Sequence, residues 1–288
     1  MSSTKGLEIP ELLKIGANIA LLPVIHGSGQ FAVTVRRWML EHSFDCIAVP
    51  LPESFRTAVE AAVLELPRPS IVVQPPHANF ASETENWELN DWNPSDADPD
   101  ELDSTTVSYI PIDPCQSVIM SIRAAMGEHI PREYIDLETD PFLPYATSMP
   151  DPYAVRHVAP EKFAAAVLPT IIPPTEHQTR QRMVHMAWRL RQLEKRYRRI
   201  LLVTSVLHWP WIRDAYTQFE VGSAAPPKSE TAAAFELPEH DDVQEPVRYA
   251  VKNRTLMFLF GELPYITGLY ERARSELEED DDLRIDGV

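Results

Sequence analysis

The chain has 288 residues, of which 44% are apolar, 9% aromatic and 24% charged, enough to bury one large core or two small ones. Lys and Arg total 26 against 43 Asp and Glu, a formal charge of −17, and this argues against nucleic acid as a partner because phosphate binding needs clustered cations. No run approaches the roughly 20 apolar residues that span a bilayer, and the opening residues lack a basic-then-apolar leader, so the expectation is a cytoplasmic protein with no membrane partner.

Cys46 and Cys115 both sit in apolar surroundings and read as reduced core residues. Gly is scarce at 9 and Pro abundant at 27, and many prolines fall between apolar runs, where they end elements and stiffen connections.

In chain order, 18–25 (NIALLPVI) is a continuous apolar run that reads as a buried strand, weakened by Pro23 and ending in His26-Gly27. Residues 30–41 have helical spacing, with Phe31, Val35, Trp38 and Met39 on one face. A second strand is expected at 45–51, a second helix at 53–66 with the stripe Phe55, Val59, Ala62, Val63 and Leu66, and a third strand at 69–73. This alternation predicts a mainly parallel α/β sheet with helices on both faces.

The pattern breaks at about 77–106. Residues 83–103 carry nine acidic residues and no Lys or Arg, around Trp87 and Trp92. This reads as a solvated insertion, or as an acidic docking segment for a protein partner. Order resumes with a strand at 107–112, a helix at 114–129 and a strand at 132–137. A Pro-rich excursion at 138–175 holds one short helix near 161–167, and such a length inside a domain often forms a lid or binding wall. Residues 176–199 give the strongest helix signal, with Met183, Met186, Ala187, Leu190, Leu193 and Tyr197 on one face. Arg180, Arg189, Arg191, Lys195, Arg196 and Arg199 lie opposite, as in a solvated amphipathic helix. The run 200–207 (ILLVTSVL) is a buried strand that ends in His208. The domain expectation is thus an α/β core over 1–221, a linker-like stretch at 222–247 and a helical extension at 248–288. That extension would hold a strand or helix start at 255–260 and a helix at 264–277, and its acidic end suggests the front part of a longer protein.

His26 and His208 each follow a buried aliphatic strand directly. In open α/β sheets ligands bind at the carboxyl ends of strands, so two histidines there could meet in one crevice. They would serve as general base and electrostatic partner, or as two ligands of a divalent metal. The plainer alternative is that each ring caps its own strand through a backbone hydrogen bond.

His26-Gly27-Ser28-Gly29-Gln30-Phe31 resembles the HG[ST]xEF segment of erythromycin esterase-like proteins, and 36–49 resembles that family's next helix and strand. Arg182-Met183-Val184-His185-Met186-Ala187 and the strand into His208 are similar to a block of the wider superfamily, which joins those esterases to ChaN haem-binding lipoproteins and TraB/Tiki proteins. The resemblance covers roughly 17–51 and 107–212. It implies an α/β crevice with His26, His208 and Arg182 as site residues, and an ester hydrolase, a metal-dependent peptidase or a haem binder as the activity.

The departures from that pattern are chemical. The family's acid at the end of its second strand is replaced by Val49-Pro50-Leu51, and the Glu of HG[ST]xEF by Gln30, which is left a substrate-binding role. Glu53 or Glu262 would have to supply the missing carboxylate, and Trp209 and Trp211 could wall an apolar pocket for a small-molecule or peptide substrate. The leading expectation is therefore a divergent hydrolase. An inactive binding or scaffold module and a haem-binding protein stand as alternatives.

Overall fold

Continuous apolar runs form the main sheet, because a strand covered on both faces has no polar side to show. In the computed structural model, which describes residues 9–75, 108–139, 142, 149–219 and 244–251, β2 (Ile19–Val24) and β7 (Ile200–Ser205) are buried along their whole length. They pair in parallel from Ile19↔Ile200 to Val24↔Ser205. β3 (Cys46–Val49) runs parallel to the other side of β7, and β6 (Arg132–Tyr134) runs parallel to β3. A two-residue strand, β1 (Lys14–Ile15), closes the far edge antiparallel to β2, giving the order β1-β2-β7-β3-β6. Pro23 is tolerated because β1 pairs only with Ile19 and Ala20, so β2 is an edge strand where the proline lacks its N–H.

The helices carry the expected stripes. α1 (Gly29–Glu41) buries Phe31, Ala32, Val35 and Trp38. A 3-10 turn at Glu53–Phe55 leads into α2 (Arg56–Val63), which is shorter than the helix expected over 53–66. α3 (Ser117–Gly127) packs on α1. α4 (Pro160–Val167) sets Phe163 edge-on to Phe31, with ring centroids 5.3 Å apart. α5 (His177–Leu193) packs on α6 (Trp209–Gln218).

Part of the basic face of α5 is engaged within the fold rather than solvated. Arg189 donates to the Tyr134 carbonyl and Arg191 donates to the Tyr216 carbonyl.

One expectation is corrected. The third strand, β4 (Ser70–Gln74), does not extend the parallel sheet. It lies between β5 (Ser108–Ile112) and β8 (Val247–Ala250) in a second sheet that is antiparallel throughout. The physical reason is visible in its burial: Ser70, Val72 and Gln74 are buried while Ile71 and Val73 are half-buried. Such alternation suits a sheet covered on one face, as antiparallel sheets are. β8 falls where the sequence placed the seam between linker and extension. Both cysteines are buried and free, and burial pushes the Cys46 thiol up to about 12. Among the described residues no helix is long and apolar enough to cross a membrane. The acidic stretch with Trp87 and Trp92, and the elements expected at 255–260 and 264–277, lie outside the described residues.

Candidate functional site

All four parallel strands of the main sheet end at the same edge, and there a cavity of about 430 Å³ opens. Each contributes the residues just past its end: His26 and Gly27 after β2, Pro50 and Leu51 after β3, Asp136 and Leu137 after β6, and Leu207 and His208 after β7. The second sheet and the start of α3 add Gln74, Tyr109, Gln116 and Ile119, and α5 adds Arg182 and Met186.

The two histidines converge because of strand register. Val24 and Ser205 are partners on the last rung between β2 and β7, and the Val206 N–H donates to the Val24 carbonyl at 2.8 Å. His26 lies two residues beyond that rung and His208 three, so adjacent strands deliver both rings to one hollow. The chain turns sharply after His26, because Gly27 takes φ of +74°, a left-handed conformation that favours glycine. The Gly27 N–H donates to Gln116 Oε1 at 2.9 Å, fixing that turn against the start of α3.

His26 does not cap its strand. Its ring makes no hydrogen bond to the described residues and exposes its surface to the hollow. Loss of hydration at the hollow's wall, with the Arg182 cation adding to the effect, lowers its pKa to about 4. His208 is half-buried at the start of α6. Burial first, then Arg182 and His26, bring it down to about 3. Both imidazoles are therefore neutral at pH 7.

Arg182 lies on the buried face of α5, only 6% exposed. Its Nε donates to Asp136 Oδ1 at 3.1 Å and its Nη2 donates to Oδ2 at 2.5 Å, while Nη1 has no partner among the described residues. The Leu137 N–H also donates to Asp136 Oδ1, at 2.8 Å. The Phe142 ring lies 4.5 Å from the guanidinium carbon. His185, one turn along α5, is buried beside Trp188 and is absent from the cavity wall. Burial, partly opposed by Asp136, lowers its pKa to about 4.

Of the residues singled out in the sequence, His26, His208 and Arg182 come together. Glu53 does not join them: it is half-exposed in the 3-10 turn and forms an ion pair with Arg56. Gln30 sits in the first turn of α1, away from the wall. Trp209 is fully buried as core, and Trp211 is half-buried against the core. Glu262 lies outside the described residues.

Among the described residues, the carboxylate that lines the cavity is Asp136, which sequence reasoning missed. It stands one strand over from the expected position, since β6 neighbours β3 and the Asp136 N–H donates to the Leu51 carbonyl. An acid directly after a short strand was the only signal that could have found it. Among the described residues no group of three or more His, Cys, Asp or Glu stands close enough to hold a metal ion. A catalytic zinc takes three protein ligands, and here the third candidate is engaged by a guanidinium that also repels a cation from both imidazoles, so these residues do not fit a metal. No family model, no curated protein and no solved structure significantly matches the chain.

Proposed function

We propose that the crevice is the site of a hydrolase, a divergent member of the erythromycin esterase-like superfamily, acting on an ester or amide whose acyl part is apolar. The observation that carries this reading is the convergence of His26, His208 and Arg182 on one cavity with mostly apolar walls. A neutral imidazole is the form that accepts a proton, and His26 is the more open of the two.

In this reading His26 takes a proton from a bound water as its oxygen adds to the substrate carbonyl. His208 lines the second side of that water's place. The positive charge of Arg182, kept in place by Asp136, favours the oxyanion of the tetrahedral adduct through space rather than by a direct hydrogen bond. Collapse of the adduct breaks the bond to the leaving group, which receives the proton from His26. No protein nucleophile and no metal enter this scheme.

A second reading is a binding module that keeps the fold. It is favoured by the engagement of Asp136 with Arg182, which leaves no free carboxylate among the described cavity residues to orient an imidazole.

A panel of p-nitrophenyl esters from acetate to octanoate, with matching anilides and short peptides, separates the two. Hydrolysis by the wild type that is lost in His26→Ala supports the hydrolase. Equal and negligible rates in both proteins support the binding module.

A further inference from the structure

Two carboxamides in the cavity have hydrogen-bonding groups that the described residues do not use. Gln116 is 8% exposed and Gln74 is 6% exposed, and both line the hollow. The orientation of Gln116 is set by chemistry: an N–H from Gly27 must meet an oxygen, so Oε1 faces Gly27 and Nε2 is left as a donor. That Nε2 makes no hydrogen bond to the described residues, and it is not sealed from the hollow. Gln116 and His26 line the same hollow, and Gln116 is hydrogen-bonded to the residue that follows His26. Gln74 ends β4 in the second sheet, and its carboxamide makes no hydrogen bond to the described residues and likewise is not sealed off. Buried polar groups are almost always paired, so two that open on one apolar-walled cavity mark where a ligand's polar atoms belong.

We propose that Gln116 and Gln74 are the recognition pair of this cavity, and that its ligand is an uncharged secondary amide with an apolar body. Gln116 Nε2 donates to the ligand carbonyl oxygen beside His26, and the Gln74 carboxamide oxygen accepts the ligand N–H. An ester of the same shape offers the carbonyl but no N–H, so it leaves the Gln74 oxygen unpaired. A carboxylate offers no N–H either and loses its hydration on entry. This choice of substrate class rests on the crevice being the working site, and it holds whether or not the bound amide is cleaved.

The test is isothermal calorimetry with N-benzylhexanamide, benzyl hexanoate and hexanoate. The wild type binds the amide at least about tenfold more tightly than the ester, the loss expected when one buried group is left unpaired. Gln116→Glu keeps the acceptor for the Gly27 N–H but removes the donor, and it weakens both neutral ligands. Gln74→Met, with similar shape and no carboxamide, abolishes the preference for amide over ester. Circular dichroism and thermal melts confirm that each variant folds. Equal binding of amide and ester by the wild type, no binding of either, or unchanged binding by Gln116→Glu overturns the proposal. Amide binding without hydrolysis supports it and removes only the hydrolytic reading. Ester turnover with no amide preference removes this proposal and leaves that reading standing.

Discussion

Arg182 on α5 closes a buried fork on Asp136 at the end of β6, with side chains 7% and 3% exposed, and so ties the helix to the edge of the sheet where the cavity opens. A pair this deep is held by two charges that each lose water, and removing one partner leaves the other charged and unmatched. Asp136→Asn is expected to lower stability by about 3–5 kcal/mol in urea unfolding. The double variant Arg182→Met/Asp136→Leu, which removes both charges, is expected to be more stable than Asp136→Asn. A double variant that is less stable would mean that the pair contributes net attraction beyond its desolvation.

Stability falls with acid through the buried histidines. His185 and His208 are held well below the ordinary imidazole value of 6.5, at about 4 and about 3. Between pH 6.5 and about 4 the unfolded chain binds protons there that the folded chain refuses. Their contribution is whole above pH 6.5 and is lost progressively as the pH drops toward 4. His208→Gln is expected to show a shallower loss of urea midpoint from pH 7 to pH 4.5 than the wild type. An identical slope would show that His208 titrates normally. The same neutrality sets the acid limb of any His26-dependent rate near pH 4 rather than 6.5.

The main sheet was legible in the sequence because β2 and β7 are largely aliphatic runs, and a strand buried on both faces leaves that mark. Each run is followed by a histidine, so the same reading pointed to the two rings that line the candidate site. The second sheet was not legible. β4 is a five-residue run whose partners lie 34 to 180 residues away, and nothing local says whether such a strand pairs in parallel. β8 reads VRYA, too polar and too short to register as a strand. Asp136 escaped notice because its partner Arg182 is 46 residues distant and the pairing exists only in the fold. Gln74 and Gln116 carry no motif at all, and only their position on one cavity distinguishes them.

Trp209 tests the difference between wall and core. It is fully buried, with Arg213 stacked 4.8 Å from its ring, and it does not line the cavity although it follows His208 directly. Trp209→Ala is expected to cost about 3–5 kcal/mol in urea unfolding, as other large-to-small core changes do. The fraction that remains folded should bind N-benzylhexanamide with unchanged affinity. Weaker binding at equal folded fraction would place the indole in the site.

The proposed hydrolysis requires His26 and His208 to act together in one crevice, and a double-mutant cycle on the best substrate of the hydrolysis panel reads that coupling most directly. His26→Gln and His208→Gln are each expected to lower kcat/KM by about 100-fold or more, and the double variant to be little worse than either, as for groups that work as a unit. Losses that simply multiply, or a wild-type rate that survives both substitutions, would show that the two imidazoles do not work as a unit.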